Sequence, residues 1–370
     1  MKSMKRSRKM LPPARRISRR EFAVRTGLGI TGIAAVRGRA FTQETRRSSL
    51  ALSKNPDRRA ALREAVGLLG DINFGGKDIY LKANFTSADP FPATTHPETL
   101  RLVADLLRER HCGRLVLVER SSMGSTRAVW EALGIPSLAR ELRLDLVALD
   151  ELSADHWRKE PLPESNWKAG IEVPRFLEPE CCLIQICNLK THRFGAMFSA
   201  SLKNSVGLAA KYGLLNAGYN YMKELHDSPH QGAMIADLNL TYEPKLIIMD
   251  AMEVFVSGGP EAGELAAPEI VLASADRVAI DAAGAALLRL HGTGAEQPLA
   301  WRTVYEVEQL KRAAELDLGA ASGPEIQFLT ANIQNHRLAS QIDAILQEVP
   351  KKPAGRVAAH AGRNRRPHDM

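Results

Sequence analysis

The feature that most constrains this chain is an apolar run, 181–187, that turns abruptly polar over Asn188–His192. A short continuous apolar run predicts a strand buried on both faces. Ligands in open α/β sheets bind at the carboxyl ends of strands, so a base and a cation at this position mark a candidate site. If the strand period continues, Lys190 and His192 point to the same side. The alternative is that both side chains simply solvate a loop.

Other apolar runs with polar ends recur along the chain and alternate with helical patterns. The pattern predicts strands over 79–84, 115–118, 144–149, 246–250 and 270–273, and helices from Pro97, over 126–133, 228–240, 278–290, 304–316 and 340–349. Residues 151–179 lack periodicity and are interpreted as an excursion or linker before the central strand. This alternation predicts an α/β fold with a mostly parallel sheet flanked by helices, and a ligand site at the carboxyl ends of the strands.

The net charge of +8 is unevenly distributed. Residues 1–47 contain 14 Lys and Arg against two acids, and residues 351–370 contain six against one, which leaves 48–350 with a net charge of −9. Because phosphate-backbone binding needs basic groups clustered on the fold itself, this acidic body argues against a nucleic-acid partner. We interpret 48–350 as one α/β domain and 351–370 as a disordered basic tail.

The amino terminus resembles an export signal. Ser18-Arg19-Arg20-Glu21-Phe22 fits the twin-arginine pattern and precedes a weakly apolar segment, which predicts that 1–47 is a twin-arginine signal and linker. We therefore expect contact with the twin-arginine translocation machinery and an exported, periplasmic bacterial protein. The segment is far shorter than the ~20 apolar residues of a membrane span, so no stable membrane span is expected. A glycine pattern at 27–32 follows no strand and is assigned no cofactor role.

Candidate site residues are the polar side chains at predicted strand ends and helix starts. Their types suit proton transfer, anion binding and metal ligation. The predicted catalytic residues are His96, His192 and Lys190; the predicted ligand-binding residues are Lys82, Asn84, Lys203, Asn204 and Asp250; the predicted metal ligands are His192, His230 and Asp237. The last two are seven residues apart on a predicted helix, ~10 Å along its axis, so sharing one ion would require a bend.

Several segments together resemble domain of unknown function family 362. In chain order they are 79–84 (IYLKAN), 93–98 (ATTHPE), 188–192 (NLKTH), 202–207 (LKNSVG), 230–239 (HQGAMIADLN), 245–250 (KLIIMD), 258–260 (GGP) and 275–281 (ADRVAID). The resemblance covers a core of about 75–295 and implies an α/β domain of exported or iron–sulfur-associated bacterial proteins. Many members carry ferredoxin-type cysteine runs. The four cysteines of this chain form no C-x-x-C pair, so no intrinsic iron–sulfur cluster is expected, and the thiols are expected to be reduced.

A fainter resemblance is to the nickel-pincer lactate racemase superfamily. Thr95-His96 resembles its helix-starting pair, and Lys190-x-His192 followed by Gly195, Ser199 and Lys203 resembles its cofactor-holding segment. This resemblance implies a metal-containing cofactor.

Three functions are compatible with these observations. The first is an exported enzyme that uses a divalent metal or metal-containing cofactor, with Lys and His side chains holding a small anionic molecule. The second is a non-catalytic periplasmic binding protein with the same pocket. The third is an accessory protein of a redox enzyme. The sequence leaves the substrate and oligomeric state open.

Overall fold

The computed structural model of the chain describes residues 47–195, 197–293 and 298–349. The predicted signal (except Arg47) and the predicted basic tail lie outside the described residues. The strands of the described ranges are β1 (Ser48–Lys54), β2 (Ile79–Lys82), β3 (Leu115–Glu119), β4 (Leu144–Ala148), β5 (Trp157–Glu160), β6 (Ile171–Pro174), β7 (Cys182–His192), β8 (Met197–Ser199), β9 (Pro244–Gly258), β10 (Gly263–Ala266), β11 (Ile270–Ser274) and β12 (Ile326–Leu329).

The helices of the same ranges connect these strands. They are α1 (Arg58–Leu68), α2 (Pro97–Glu109), α3 (Thr126–Ala132), α4 (Ile135–Glu141), α5 (Ser201–Asn204), α6 (Tyr221–Asp227), α7 (Gln231–Leu238), α8 (Arg277–Leu290), α9 (Pro298–Trp301), α10 (Glu308–Glu315) and α11 (Ile333–Leu346). Several begin with side-chain caps; Asp276, for example, accepts from two backbone amides at the start of α8.

One large sheet organises the molecule, with strand order β12-β1-β11-β9-β7-β2-β3-β4. The five strands β9, β7, β2, β3 and β4 run parallel to one another. On the other side of β9, β11 is antiparallel to β9, and β1 is antiparallel to β11. The predicted α/β fold with a mostly parallel sheet flanked by helices is therefore confirmed.

The apolar residues of the central strands alternate between two cores. On β7, Ile184 and Ile186 pack with helices α1 to α4, whereas Leu183 and Leu189 pack with α7, α8, α10 and α11 on the opposite face. This alternation follows from the two-residue period of a strand. It explains why the central strands appear in the sequence as continuous apolar runs.

The connections diverge between β2 and β7. From β2 the chain continues to β3 and β4 on one side, and it later returns to place β7 on the other side of β2. Helices that follow β2 and β3 cover one face, while those after β7 pack on the other. Such a switch point leaves a crevice outside the carboxyl ends of the two strands.

Two central strands are longer than the apolar pattern predicts. β7 continues through the polar segment to His192, because β8 pairs with it there and Lys190 lies opposite Ser199. β9 continues past Asp250 to Gly258, where β10 pairs with it. Asp250 thus lies within a strand, and the expectation that it ends one is wrong.

The sequence interpretation also missed elements outside the sheet centre. β1 and α1 precede the strand predicted to be first, and β1 enters the sheet between β11 and β12. The stretch 151–179 was interpreted as an excursion or linker, but it contains β5 and β6, which pair as a separate two-stranded sheet. β5 and β6 contain only four residues each, which is too few for the sequence to show a strand period.

Candidate functional site

A small cavity opens at the carboxyl ends of β2, β3 and β7. Its volume is about 50 Å³, and the predicted residues that line it are Lys82, Asn84, Lys190, His192, Lys203 and Asn204. This volume suits a few waters or one small ion, since a single water needs ~10–15 Å³ and a drug-sized ligand at least ~300 Å³. We call it the lysine cavity.

One wall of the lysine cavity is a buried ion pair. Lys82 and Glu119 are the last residues of β2 and β3, each is 1% exposed, and Lys82 Nζ lies 2.7 Å from Glu119 Oε1. The backbone amides of Phe85 and Arg120 also donate to the carboxylate. Burial lowers the pKa of Lys82 and raises that of Glu119, and their mutual attraction opposes both shifts. The two amide donors favour the ionised carboxylate, so we assign an ion pair.

Gly207 lies so close to the Lys82–Glu119 pair that no side chain fits at this position. A Cβ at this position would lie 2.5 Å from Glu119 Oε1 and 2.7 Å from Lys82 Cε. The glycine therefore lets the segment after α5 pack directly on the buried pair. Nearby, Arg120 donates from Nε to the carbonyl of Ala209 at 2.8 Å and from Nη2 to the carbonyl of Val206, and burial lowers its pKa to about 10.

Lys190 also lines the lysine cavity, and its amine has only neutral hydrogen-bond acceptors. Its Nζ donates to Asn84 Oδ1 at 3.3 Å and to the carbonyl of Ala93, and the side chain is 1% exposed. Burial, and then the positive charge of Lys203, lower the pKa of Lys190 to about 7. Asp89 and Glu261 oppose this shift, but neither reaches ion-pair distance of the amine.

Lys203 is partly exposed on α5, at the edge of the cavity. In the described part of the chain its amine has neither an ion-pair partner nor a hydrogen-bond acceptor. Burial and the neighbouring Arg120 lower its pKa to about 8. The cavity therefore contains four cationic side chains and a single carboxylate, that of Glu119.

The short helix α5 is held in place by buried polar groups. Asp281 on α8 accepts from the amides of Ser201 and Leu202 at 2.7 and 2.9 Å, and burial raises its pKa to about 7. Asn204 accepts from Lys82 Nζ at 3.0 Å through Oδ1. These contacts fix the position from which Lys203 approaches the cavity.

His192, the last residue of β7, enters the lysine cavity as a neutral imidazole. Its Nδ1 accepts from the amide of Phe194 at 3.2 Å, so the ring proton lies on Nε2. Burial and the charges of Lys203 and Lys190 lower its pKa to about 2. Nε2–H is thus a hydrogen-bond donor that stays uncharged at neutral pH.

The structure does not bring His96 and Asp250 into the lysine cavity. His96 caps α2, where its Nδ1 accepts from the amide of Glu98 at 3.1 Å, and it lines a separate pocket. The Asp250 carboxylate accepts from Thr99 Oγ1 and lies 3.6 Å from Arg58 Nε. The alternation of side chains along β9 explains this separation, because Asp250 lies on the same face as Ile248 and Met252, which pack with α1 and α2.

The three predicted metal ligands do not form one site. His230 is exposed and contacts Glu308, while the buried Asp237 pairs with Arg312 at 2.8 Å. Across 47–195, 197–293 and 298–349, no three His, Cys, Asp or Glu side chains form a metal-ligand group. The structure does not bring His192, His230 and Asp237 together: Arg312 pairs with the Asp237 carboxylate, and His230 is exposed beside Glu308.

Two charged residues that line the cavity, Glu119 and Arg120, are not among the residues predicted from the sequence. The signal for Glu119 was its position at the end of β3, next to the strand that ends in Lys82. The four cysteines are free thiols, as expected, with Cys182 and Cys187 buried.

Comparison with known proteins identifies the family of the chain. A family model described as Domain of unknown function (DUF362) matches residues 79–286, more than half of the chain. The chain belongs to this family. None of the curated proteins compared with the chain matches it significantly.

The DUF362 match contains the whole set of predicted cavity residues. Three of the segments quoted above, IYLKAN, NLKTH and LKNSVG, supply Lys82 and Asn84, Lys190 and His192, and Lys203 and Asn204 respectively. A fourth, ADRVAID, supplies the Asp281 carboxylate that caps α5. None of the helices in the described part of this DUF362 chain combines the length and apolar character needed to cross a bilayer.

Proposed function

We propose that the lysine cavity binds a small oxyanion, of the size of phosphate or of a short carboxylate. The observation that carries this proposal is the presence of two lysines, Lys190 and Lys203, that share one cavity and have no carboxylate partner in the described ranges. Burial and the charge of Lys203 lower the pKa of Lys190 to about 7, and burial and the charge of Arg120 lower the pKa of Lys203 to about 8. An anion between them favours both charged forms.

The remaining groups fit this ligand. His192 Nε2–H and Asn84 add neutral hydrogen-bond donors, while Lys82 is already neutralised by Glu119. A volume of about 50 Å³ favours a compact anion over a nucleotide or a peptide. Charge-assisted hydrogen bonds from two amines suit phosphate or carboxylate oxygens.

Isothermal titration of the full chain with inorganic phosphate and with acetate tests the proposal. We expect binding by the wild type and a loss of about tenfold or more in affinity for Lys190→Met and Lys203→Met, since a hydrogen bond to a charged group contributes ~1.5–3 kcal/mol. Lys245→Met removes the same charge at the exposed amino end of β9 and is the matched control. Unchanged affinity in both cavity variants would contradict the proposal.

One observation favours acid/base chemistry in addition to binding. The Lys190 amine is buried beside the cavity and its pKa of about 7 is close to neutrality, which suits a general base. We therefore propose that Lys203 holds the carboxylate of a small 2-oxo acid, while the neutral fraction of Lys190 takes a proton from the carbon next to the keto group and the C–H electron pair passes to the keto oxygen. Deuterium exchange into pyruvate in D₂O, faster with the wild type than with Lys190→Met, tests it. Equal rates would leave binding as the function of the site.

We also propose that residues 1–47 direct twin-arginine export to the periplasm. The proposal rests on Arg19-Arg20 and the weakly apolar segment that follows. Expression in a bacterium, followed by fractionation of the wild type and of Arg19→Lys/Arg20→Lys, tests it. Retention of the double variant in the cytoplasm is expected, and equal distribution of both chains would contradict it.

A further inference from the structure

A second pocket lies beside the lysine cavity and differs from it in size and lining. Its volume is about 360 Å³, and Phe85 lines both. Its apolar walls are formed by Phe85, Pro90, Phe91, Pro97, Leu133 and Ile135. The polar groups include Arg58 and His96, so we call it the His96 pocket. A mostly apolar pocket of this volume with a few polar groups is typical of small-molecule sites.

Arg58 is held rigidly at this pocket. It is the first residue of α1, its guanidinium carbon lies 4.8 Å from the centre of the Phe91 ring, and its Nε is 3.6 Å from Asp250 Oδ2. Each oxygen of Asp250 also accepts a hydrogen bond, one from Thr99 Oγ1 and the other from the amide of Met252. The Nε atom is buried and has no hydrogen-bond acceptor within the described residues.

The two terminal nitrogens of Arg58 also have no acceptor within those residues. The planar fork of an arginine matches a carboxylate with two parallel hydrogen bonds. Asp250 acts as a positioning residue in this arrangement, because its carboxylate attracts the guanidinium across 3.6 Å without accepting a hydrogen bond from it. The fork thus stays available for a ligand.

His96 supplies a neutral donor on the same pocket. Its Nδ1 accepts from the amide of Glu98, which leaves the proton on Nε2. The ring also contacts Phe91 edge to face, with the ring centres 5.4 Å apart. Burial and the charge of Arg58 lower the pKa of His96, so the imidazole is uncharged at neutral pH.

We propose that the His96 pocket binds a small aromatic carboxylate, with the carboxylate on the Arg58 fork and the ring against Phe91 and Leu133. A cavity of ~150 Å³ accommodates benzene, so about 360 Å³ accommodates a benzoate-sized molecule, whereas the 50 Å³ of the lysine cavity does not. Glu253 is exposed on the pocket lining and disfavours a second negative charge on the ligand. This site uses none of the charged groups of the lysine cavity.

Isothermal titration of the full chain with benzoate tests the proposal, with benzyl alcohol as the uncharged analogue. The wild type is expected to bind benzoate more tightly than benzyl alcohol, and Arg58→Met is expected to weaken benzoate by about tenfold or more. Arg63→Met removes the same charge from the exposed face of α1, where Arg63 pairs with Glu109, and is expected to change nothing. Lys203→Met is expected to leave benzoate binding intact.

A variant that fills the His96 pocket tests the proposal independently if Arg58→Met does not fold. Leu133 is half-buried beyond the end of α3, and Leu133→Trp is expected to block benzoate while phosphate binding by the lysine cavity persists. No benzoate binding by the wild type, or benzoate binding that survives both Arg58→Met and Leu133→Trp, overturns the inference. Loss of benzoate binding in Lys203→Met would place the ligand in the lysine cavity and would overturn it as well.

Discussion

The four cationic side chains of the lysine cavity fall into two pairs that differ in their internal hydrogen-bond and ion-pair partners. Lys82 is neutralised by Glu119, and Arg120 donates to backbone carbonyls, so both are satisfied inside the fold. Lys190 has only an amide oxygen and a backbone carbonyl as acceptors, and Lys203 has none within the described residues. Lys190 is buried, and a buried charge without a partner is costly, which favours a functional role; Lys203 is partly exposed and adds an unpaired charge at the edge of the cavity. We therefore interpret the first pair as structural and the second as functional.

The largest loss in the free energy of unfolding is expected when Lys82, the lysine of the buried ion pair, is replaced. Lys82→Met leaves the Glu119 carboxylate buried without its partner and is expected to destabilise the fold by ~3–5 kcal/mol. Urea unfolding followed by circular dichroism measures the effect. The double variant Lys82→Met/Glu119→Gln is expected to recover part of the loss, and a change below ~1 kcal/mol in the single variant would remove the structural assignment.

Lys190 should make the free energy of unfolding depend on pH. The pKa of Lys190 is about 7 in the folded protein against an ordinary 10.5, so between these values the unfolded chain binds more protons. The free energy of unfolding should therefore rise with pH from about 7 to about 10, by at most ~1.4 kcal/mol per pH unit for this group.

Urea unfolding of the wild type and of Lys190→Met at neutral and alkaline pH checks this dependence. The wild type is expected to gain more stability than the variant as pH rises, and saturating phosphate is expected to reduce the difference because it favours the charged amine. Parallel stability curves for the two proteins would show that Lys190 carries its ordinary proton in the folded state.

A smaller effect is expected from the glycine that lies against the structural pair. Gly207→Ala places a Cβ within 2.5 Å of Glu119 Oε1 and should destabilise the protein by ~1–3 kcal/mol. Gly67→Ala on α1 is the matched control, since no atom lies within 4 Å of its added Cβ. It should be neutral or mildly stabilising. Equal stability of the two variants would mean that the segment after α5 can move away from the pair.

The smallest effect is expected from an exposed lysine outside the cavity. Lys245→Met should change the free energy of unfolding by no more than ~0.5 kcal/mol and should leave phosphate binding unchanged. Urea unfolding measures the first quantity, and thermal-shift titration with phosphate measures the second. A reduced phosphate response in this variant would indicate that the anion responds to the overall charge of the protein and not to the pair in the cavity.

Much of the fold and part of the site could be predicted from local pattern. The apolar runs of β2, β3, β7, β9 and β11 are recognisable because each strand is buried on both faces. The polar ends of β2 and β7 met at one edge, as the parallel arrangement predicts. The polar extension of β7 could not be predicted, because its strand conformation depends on pairing with β8.

The residues that failed to join the cavity did so for reasons that local sequence does not contain. His96 lines a different pocket, and Asp250 faces α1 and α2 because it shares a face of β9 with Ile248 and Met252. His230 and Asp237 contact Glu308 and Arg312, which lie more than 70 positions away in the chain. Long-range partners therefore decided which polar side chains remained available.

The amino-acid sequence by itself determined the α/β class, the family and the edge of the sheet at which lysines and a histidine gather. These properties follow from periodicity and residue type, which act locally. Only the tertiary structure decided that Lys82 is neutralised while Lys190 and Lys203 are not, because the position of Glu119 relative to each amine is set by the packing of β2, β3, β7 and α5. The charge state of a side chain depends on its neighbours in space, and the chain alone does not specify them.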